Sequence, residues 1–254
     1  MSARALFLTA VAATSFIHAT TICAAAPSAE ISAAVADSAR PDADRQRDAD
    51  RKPAELLAFA GIRPGSKIGE MLPGGGYFTR IFSKAVGSKG VVYALVPARP
   101  ANAPAGAPDF AAPMLALAAD AKYNNVKVGS MDPAAPLPEL VDVVWTSLNY
   151  HDLHNRPNAD LMAANKMALN ALKPGGVYIV IDHAAETGSG KRDTQTLHRI
   201  EPAFVKAEVL AAGFEFAGES DLLRNANDPH NVGVRDLGRG KSDQFVFKFR
   251  KPLK

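Results

Sequence analysis

The chain has 254 residues, 47% of them hydrophobic and 22% charged, which suits one domain with a sizeable core and excludes two large ones. A net charge of +3, with acids and bases mixed and only short clusters such as Lys191-Arg192, argues against the concentrated basic face of a nucleic-acid-binding protein. With one cysteine, Cys23, the chain has no disulfide framework of its own.

The first 25 residues have the order of a secretory signal peptide. Arg4 is followed by an apolar stretch from Ala5 to about Ile22 and then by Ala24, Ala25 and Ala26. Polar Thr, Ser and His residues interrupt the stretch, so a permanent membrane span is not expected. Cleavage after Ala25 would remove Arg4 and Cys23, leaving a net charge of 3 − 1 = +2. The expected destination is outside the cytoplasm, in the periplasm. Residues 26 to 50, rich in Ala, Ser, Asp and Arg, read as a linker or exposed helical arm, and a domain is expected over 51 to 254.

The domain opens with a helix after Pro53 that stops at Gly61. A strand over Lys67 to Leu72 leads into Gly74, Gly75 and Gly76, followed by a helix from Tyr77 to Val86. Gly90 to Val96 is a continuous apolar run, the pattern of a strand covered on both faces. Pro97 to Pro113 reads as an irregular excursion, followed by a helix around Met114 to Ala121 and a short strand near Val126. Val141 to Leu148 is the clearest buried strand. A helix over Asp160 to Leu172 and a turn at Lys173-Pro174-Gly175-Gly176 lead to a strand over Val177 to Asp182. A helix over Glu201 to Ala212 and a strand over Phe214 to Glu219 follow, and Phe245, Phe247 and Phe249 alternate in a last strand. Strands alternating with helices predict an α/β fold, a mostly parallel sheet with helices on both faces. Ligands bind such sheets beyond the carboxyl ends of the strands, where the glycines, His151 and Asp182 all fall.

The glycine loop narrows the ligand. A phosphate-binding P-loop needs Lys-Ser or Lys-Thr after its last glycine, and Tyr77-Phe78 stands there. A dinucleotide fingerprint needs a glycine where Thr79 stands, and Glu70 just before the loop would repel a pyrophosphate. A carboxylate beside a glycine loop suits a ligand that is cationic or rich in hydroxyls, such as S-adenosylmethionine.

Ile68-Gly-Glu70, Pro73-Gly74-Gly75-Gly76-Tyr-Phe-Thr, VDVVWTSLNYHDLH and LKPGG before VYIVID together resemble the class I S-adenosylmethionine-dependent methyltransferases. The likeness spans about residues 51 to 254. It is closest to a group of exported "predicted methyltransferases" with similar NYHDLH, LHRIEP and DQFVFKF segments. The resemblance implies a Rossmann-like sheet of seven strands whose last strand, about Gln244 to Phe249, runs antiparallel. It implies S-adenosylmethionine as cofactor, held at its methionine end by Glu70, Gly74, Gly75 and Gly76, with Met131, Asp132 and Asn149 as further contacts. It also implies methyl transfer to a small molecule. Leu72 replaces a usual glycine, and Val96 stands where the family has the acid that holds the ribose.

His151 and Asp152, after the fourth strand, are the expected catalytic pair, with His151 as general base. His151 and His154 flank an Asp as metal ligands can, but no third ligand is placed by the sequence, so no metal is assigned. His183 and His198 flank a Gly-containing loop read as a mobile cover. Asp221 to Gly240 is too long for an ordinary connection and is expected to be functional or disordered. The alternative reading is a degenerate fold member that binds a small ligand without catalysis.

Overall fold

The computed structural model describes residues 26–99, 104 and 106–254. The expected signal peptide and Cys23 lie outside the described residues. Among those described, no helix is long and apolar enough to cross a membrane.

Seven strands form one sheet: β1 Lys67–Met71, β2 Val91–Val96, β3 Val126–Ser130, β4 Val141–Ser147, β5 Leu172–His183, β6 Glu215–Ser220 and β7 Gln244–Arg250. Their order is β3-β2-β1-β4-β5-β7-β6. The first five are parallel, and β7 inserts antiparallel to both β5 and β6. This is the expected Rossmann-like sheet with its antiparallel last strand. The Lys173–Gly176 turn is absorbed into β5 as a bulge, since partners jump from Val141↔Leu172 to Val143↔Val177. Gly175 makes the bulge possible with φ +76°.

The continuous apolar strands are explained by cover on both faces. One face packs on helices α1 Ala29–Val35, α4 Pro53–Ala60, α5 Tyr77–Val86 and α6 Ala112–Ala119. Trp145 is fully buried there between Phe78 and Phe82, with ring centroids at 4.9 and 5.2 Å. The other face packs on α7 Tyr150–His154, α8 Leu161–Ala171 and α9 Pro202–Ala211. Alternate residues of β4 serve the two faces, Val143 and Trp145 one, Val144 the other.

The segment 26–50 differs from the exposed arm expected of it. Ile31 and Ala34 of α1 are buried in the core, and Ser28 caps that helix by accepting from the Ile31 N–H at 3.3 Å. Short helices α2 Asp42–Arg45 and α3 Asp48–Arg51 then cross the start of α5. Arg40, 2% exposed, donates to both carboxylate oxygens of Asp48 at 2.8 and 2.7 Å, and Asp48 also accepts the Tyr77 hydroxyl at 2.6 Å. A composition poor in large apolar residues hid this, because a few apolar side chains such as Ile31 and Ala34 enter the core and charge pairs hold the rest of the arm.

Two other expectations change. The Ala184–Thr196 loop is packed, with Ser189, Asp193 and Thr194 buried and the Gly188 and Gly190 N–H groups donating to Glu201 at 2.8 Å each. The long 221–243 connection is ordered. Its anchor is Arg199, fully buried, which forks onto Asp228 at 2.8 and 2.9 Å and donates to the carbonyls of Ala184 and Val232.

Candidate functional site

β1 ends in a tight turn: Leu72, Gly74 and Gly76 all have positive φ, at +52°, +57° and +83°. A methyl group added at Gly74 or Gly75 would meet no atom within 4 Å, so the turn faces open space there. At Gly76 it would come within 2.8 Å of Met114 Cε and 3.3 Å of Leu117. The three glycines therefore separate: Gly74 and Gly75 face a space a ligand can take, whereas Gly76 is filled by α6. Asn149, expected as a cofactor contact, instead spends its amide on the fold. It donates to the Leu72 carbonyl at 2.9 Å and accepts from Thr146, tying the end of β4 to the glycine turn.

Glu70 is 3% exposed and accepts a hydrogen bond from Thr79 Oγ1 at 2.6 Å. Burial pushes its carboxyl up to about 7, against the pull of Thr79, Arg51 and Arg80. Thr79, which breaks the dinucleotide pattern in sequence, thus holds this carboxyl in place. The Arg51 guanidinium donates to Ser147 Oγ at 3.0 Å and lies 4.5 and 4.7 Å from the Tyr77 and Phe78 ring centres. Burial, with Arg47 nearby, pushes its pKa down to about 10. Arg80 bridges arm and turn, donating to Asp44 at 2.9 Å and to the Gly75 carbonyl at 2.8 Å. Neither Arg51 nor Arg80 carries a sequence signal for this position.

At the end of β2, Val96 is 6% exposed and apolar, so no carboxylate stands where the ribose contact was sought. Beyond β3, Met131 only extends the strand, its N–H donating to the Val96 carbonyl at 2.9 Å. Asp132 is exposed and accepts from the Ala134 N–H in its own turn.

His151 follows β4 and is 3% exposed. Its N–H and Nδ1 meet the two oxygens of Asp182, at the end of β5, at 2.7 and 2.8 Å, and Nε2 lies 3.3 Å from Asp152 Oδ1. Burial pushes its pKa down, but Asp182 and Asp152 outweigh it and raise it to about 10. The two carboxylates thus favour the protonated ring, whereas a general base needs the neutral one. His154 pairs with Glu208 at 3.1 Å, away from that pair. His183 behaves oppositely: burial takes it down to about 4, so its ring is neutral, and Nδ1 lies 2.7 Å from Ser242 Oγ.

A cavity of ≈ 280 Å³ opens between α3, the ends of β4 and β5, and the segment around helix α10 Val234–Leu237. Arg47, Arg51, Arg235 and Arg239 line it against a single carboxylate, Asp50, and His183 lines it too. The arginine set has no signature in the sequence, because its members come from two stretches at opposite ends of the domain.

No protein family and no characterised protein matches the chain in sequence. Its fold is similar to that of an S-adenosylmethionine-dependent methyltransferase from Aquifex aeolicus, at 17% identity over 80% of this chain and 89% of that one, with a TM-score of 0.55. The [4+2]-cyclase SpnF is similar at 16% identity over 85% and 86% of the two chains, with a TM-score of 0.59. An S-adenosylmethionine-dependent methyltransferase from Mesorhizobium loti is similar at 16% identity over 77% and 95%, with a TM-score of 0.51. The chain thus has the Rossmann-like methyltransferase fold. Its chemistry has to be argued from the site.

Proposed function

We propose that the chain binds S-adenosylmethionine at the glycine turn and transfers its methyl group to a small anionic molecule in the arginine-lined cavity. The observation that carries this reading is the open space over Gly74 and Gly75 with the buried Glu70 carboxyl behind it. The donor set suits the amino-acid end of the cofactor: Glu70 for its ammonium and Arg51 for its carboxylate. The ribose end lacks its usual partner, since β2 ends on Val96. Bound there, the cofactor supplies an electrophilic methyl group.

The protein's own contribution is binding and alignment. Four arginines concentrate an anionic acceptor, and the neutral His183 ring can take a hydrogen bond from a hydroxyl or amine and so direct its lone pair. Asp182 keeps the end of β5 in place by accepting from the N–H groups of both His151 and His183.

Calorimetry with S-adenosylmethionine, S-adenosylhomocysteine and NAD tests the reading. Binding of the first two and not NAD supports it, and binding of none or of NAD alone overturns it. A second reading, ligand binding without methyl transfer, is favoured by Arg51, a fixed cation already at Glu70's end of the site. Cofactor binding without turnover across a panel of small carboxylates and phosphates would favour that second reading. The expected export to the periplasm belongs to the same proposal, and an N-terminus at Ala26 in the mature protein checks it.

A further inference from the structure

His198 supplies what the sequence pattern lacked. Its Nδ1 lies 3.9 Å from Asp152 Oδ1, the oxygen that is 3.3 Å from His151 Nε2, and the three ligand atoms lie within 4.8 Å of one another. Ligands around a four-coordinate transition ion with bonds near 2.05 Å sit about 3.3 Å apart, so a small inward movement closes the set.

Three further observations point the same way. His151 is oriented as metal-bound imidazoles are, with Nδ1 on the Asp182 carboxylate at 2.8 Å and Nε2 turned toward the cluster. His198 has φ +54°, a left-handed conformation that is strained for a non-glycine residue and concentrates at functional sites. Its neighbour Arg199, fully buried on Asp228, fixes it there, as does the Val234 N–H donating to the Leu197 carbonyl at 3.1 Å. Access is provided, since the Asp152 and His198 side chains are 49% and 28% exposed.

We infer that His151, Asp152 and His198 form a binding site for one divalent transition-metal ion, of the zinc or iron(II) class, oriented by Asp182 and open on its solvent side. Two imidazoles and one carboxylate select such ions over magnesium or calcium, which prefer oxygen. Binding displaces the proton that His151 Nε2 shares with Asp152, after which two neutral histidines, Asp152 and Asp182 balance a double positive charge. Arg235, exposed near Asp152 and His198, opposes the ion. The metal site stands independently of methyl transfer.

The test is a titration of the full, untagged chain with Co²⁺ after chelator treatment, followed by visible absorption and by competition with Zn²⁺. One equivalent of Co²⁺ should give d–d bands, displaced by Zn²⁺. His198→Ala and Asp152→Ala, checked as folded by circular dichroism, should each lower affinity at least 100-fold. Asp182→Asn should lower it about 10- to 100-fold, and Arg235→Ala should leave it equal or tighter. Absence of a stoichiometric Co²⁺ spectrum, or unchanged binding in folded His198→Ala, overturns the site. Calorimetry with S-adenosylmethionine on the same preparations reports separately on the cofactor reading.

Discussion

The two halves of the sheet's carboxyl edge are built differently. On the β1–β2–β3 side the edge is a strained glycine turn, one buried carboxyl and the apolar end of Val96. On the β4–β5–β7 side it is crowded with titratable groups: His151, Asp152, Asp182, His183, His198 and the buried Arg199–Asp228 pair. The first half makes room by leaving side chains out. The second holds its shape through charge pairs that must all be satisfied at once. Damage should therefore read out as lost binding in the first half and as lost stability in the second.

Asp228→Asn gives the largest effect on the second side. It strands the Arg199 guanidinium in a fully buried place, and breaking such a pair from one side costs about 3–5 kcal/mol. Urea unfolding should show the midpoint fall accordingly, with 221–243 becoming protease-sensitive. A loss under about 1 kcal/mol would mean that the two halves do not differ in this way.

Gly75→Val is the counterpart on the first side. Gly75 lacks a positive φ, and an added Cβ meets no atom within 4 Å. Stability should change by no more than about 0.5 kcal/mol, while S-adenosylmethionine affinity falls 100-fold or more. Gly76→Val is the poorer probe, because its φ of +83° and the contact with Met114 would disturb the fold first. Undiminished binding in Gly75→Val would reduce the loop to a turn.

Glu70 sharpens the comparison through pH. Its folded pKa, about 7, lies above its unfolded value, so the protonated form is favoured by folding. Its contribution to stability is therefore full below about pH 4.5 and fades as pH rises through 7. A cationic ligand group needs the ionised form, so binding must displace a proton below pH 7. Affinity for S-adenosylmethionine should drop about tenfold from its plateau by pH 6, and Glu70→Gln should flatten the profile at the weak level. A parent profile already flat between pH 6 and 8 would remove Glu70 from the site.

The smallest effect is expected at the cavity rim. Arg239→Ala removes one of four exposed or half-exposed cations and should weaken binding of inorganic phosphate, as an anion probe, about two- to tenfold. Phosphate binding indifferent to this change would place the anion elsewhere.

Local pattern determined much by itself. The strands and principal helices are written in runs such as GVVYALV and VDVVWTSL and in their glycine and proline stops, because backbone geometry and burial on two faces constrain each segment where it stands. The glycine turn and Glu70 are legible for the same reason, being neighbours along the chain. What the sequence could not decide is every property that depends on which distant groups become neighbours in a buried place. Residues 26–50 read as a linker or exposed helical arm until Arg40 and Tyr77 converge on Asp48. His151 looks like a free base until Asp182 closes on it from another strand and orients its ring. His198 is an isolated histidine in sequence and becomes the third member of a cluster only when Arg199 and Asp228 draw two loops together. Charge states and ligand sets are set by distance and desolvation, and both come into being only when the chain has folded.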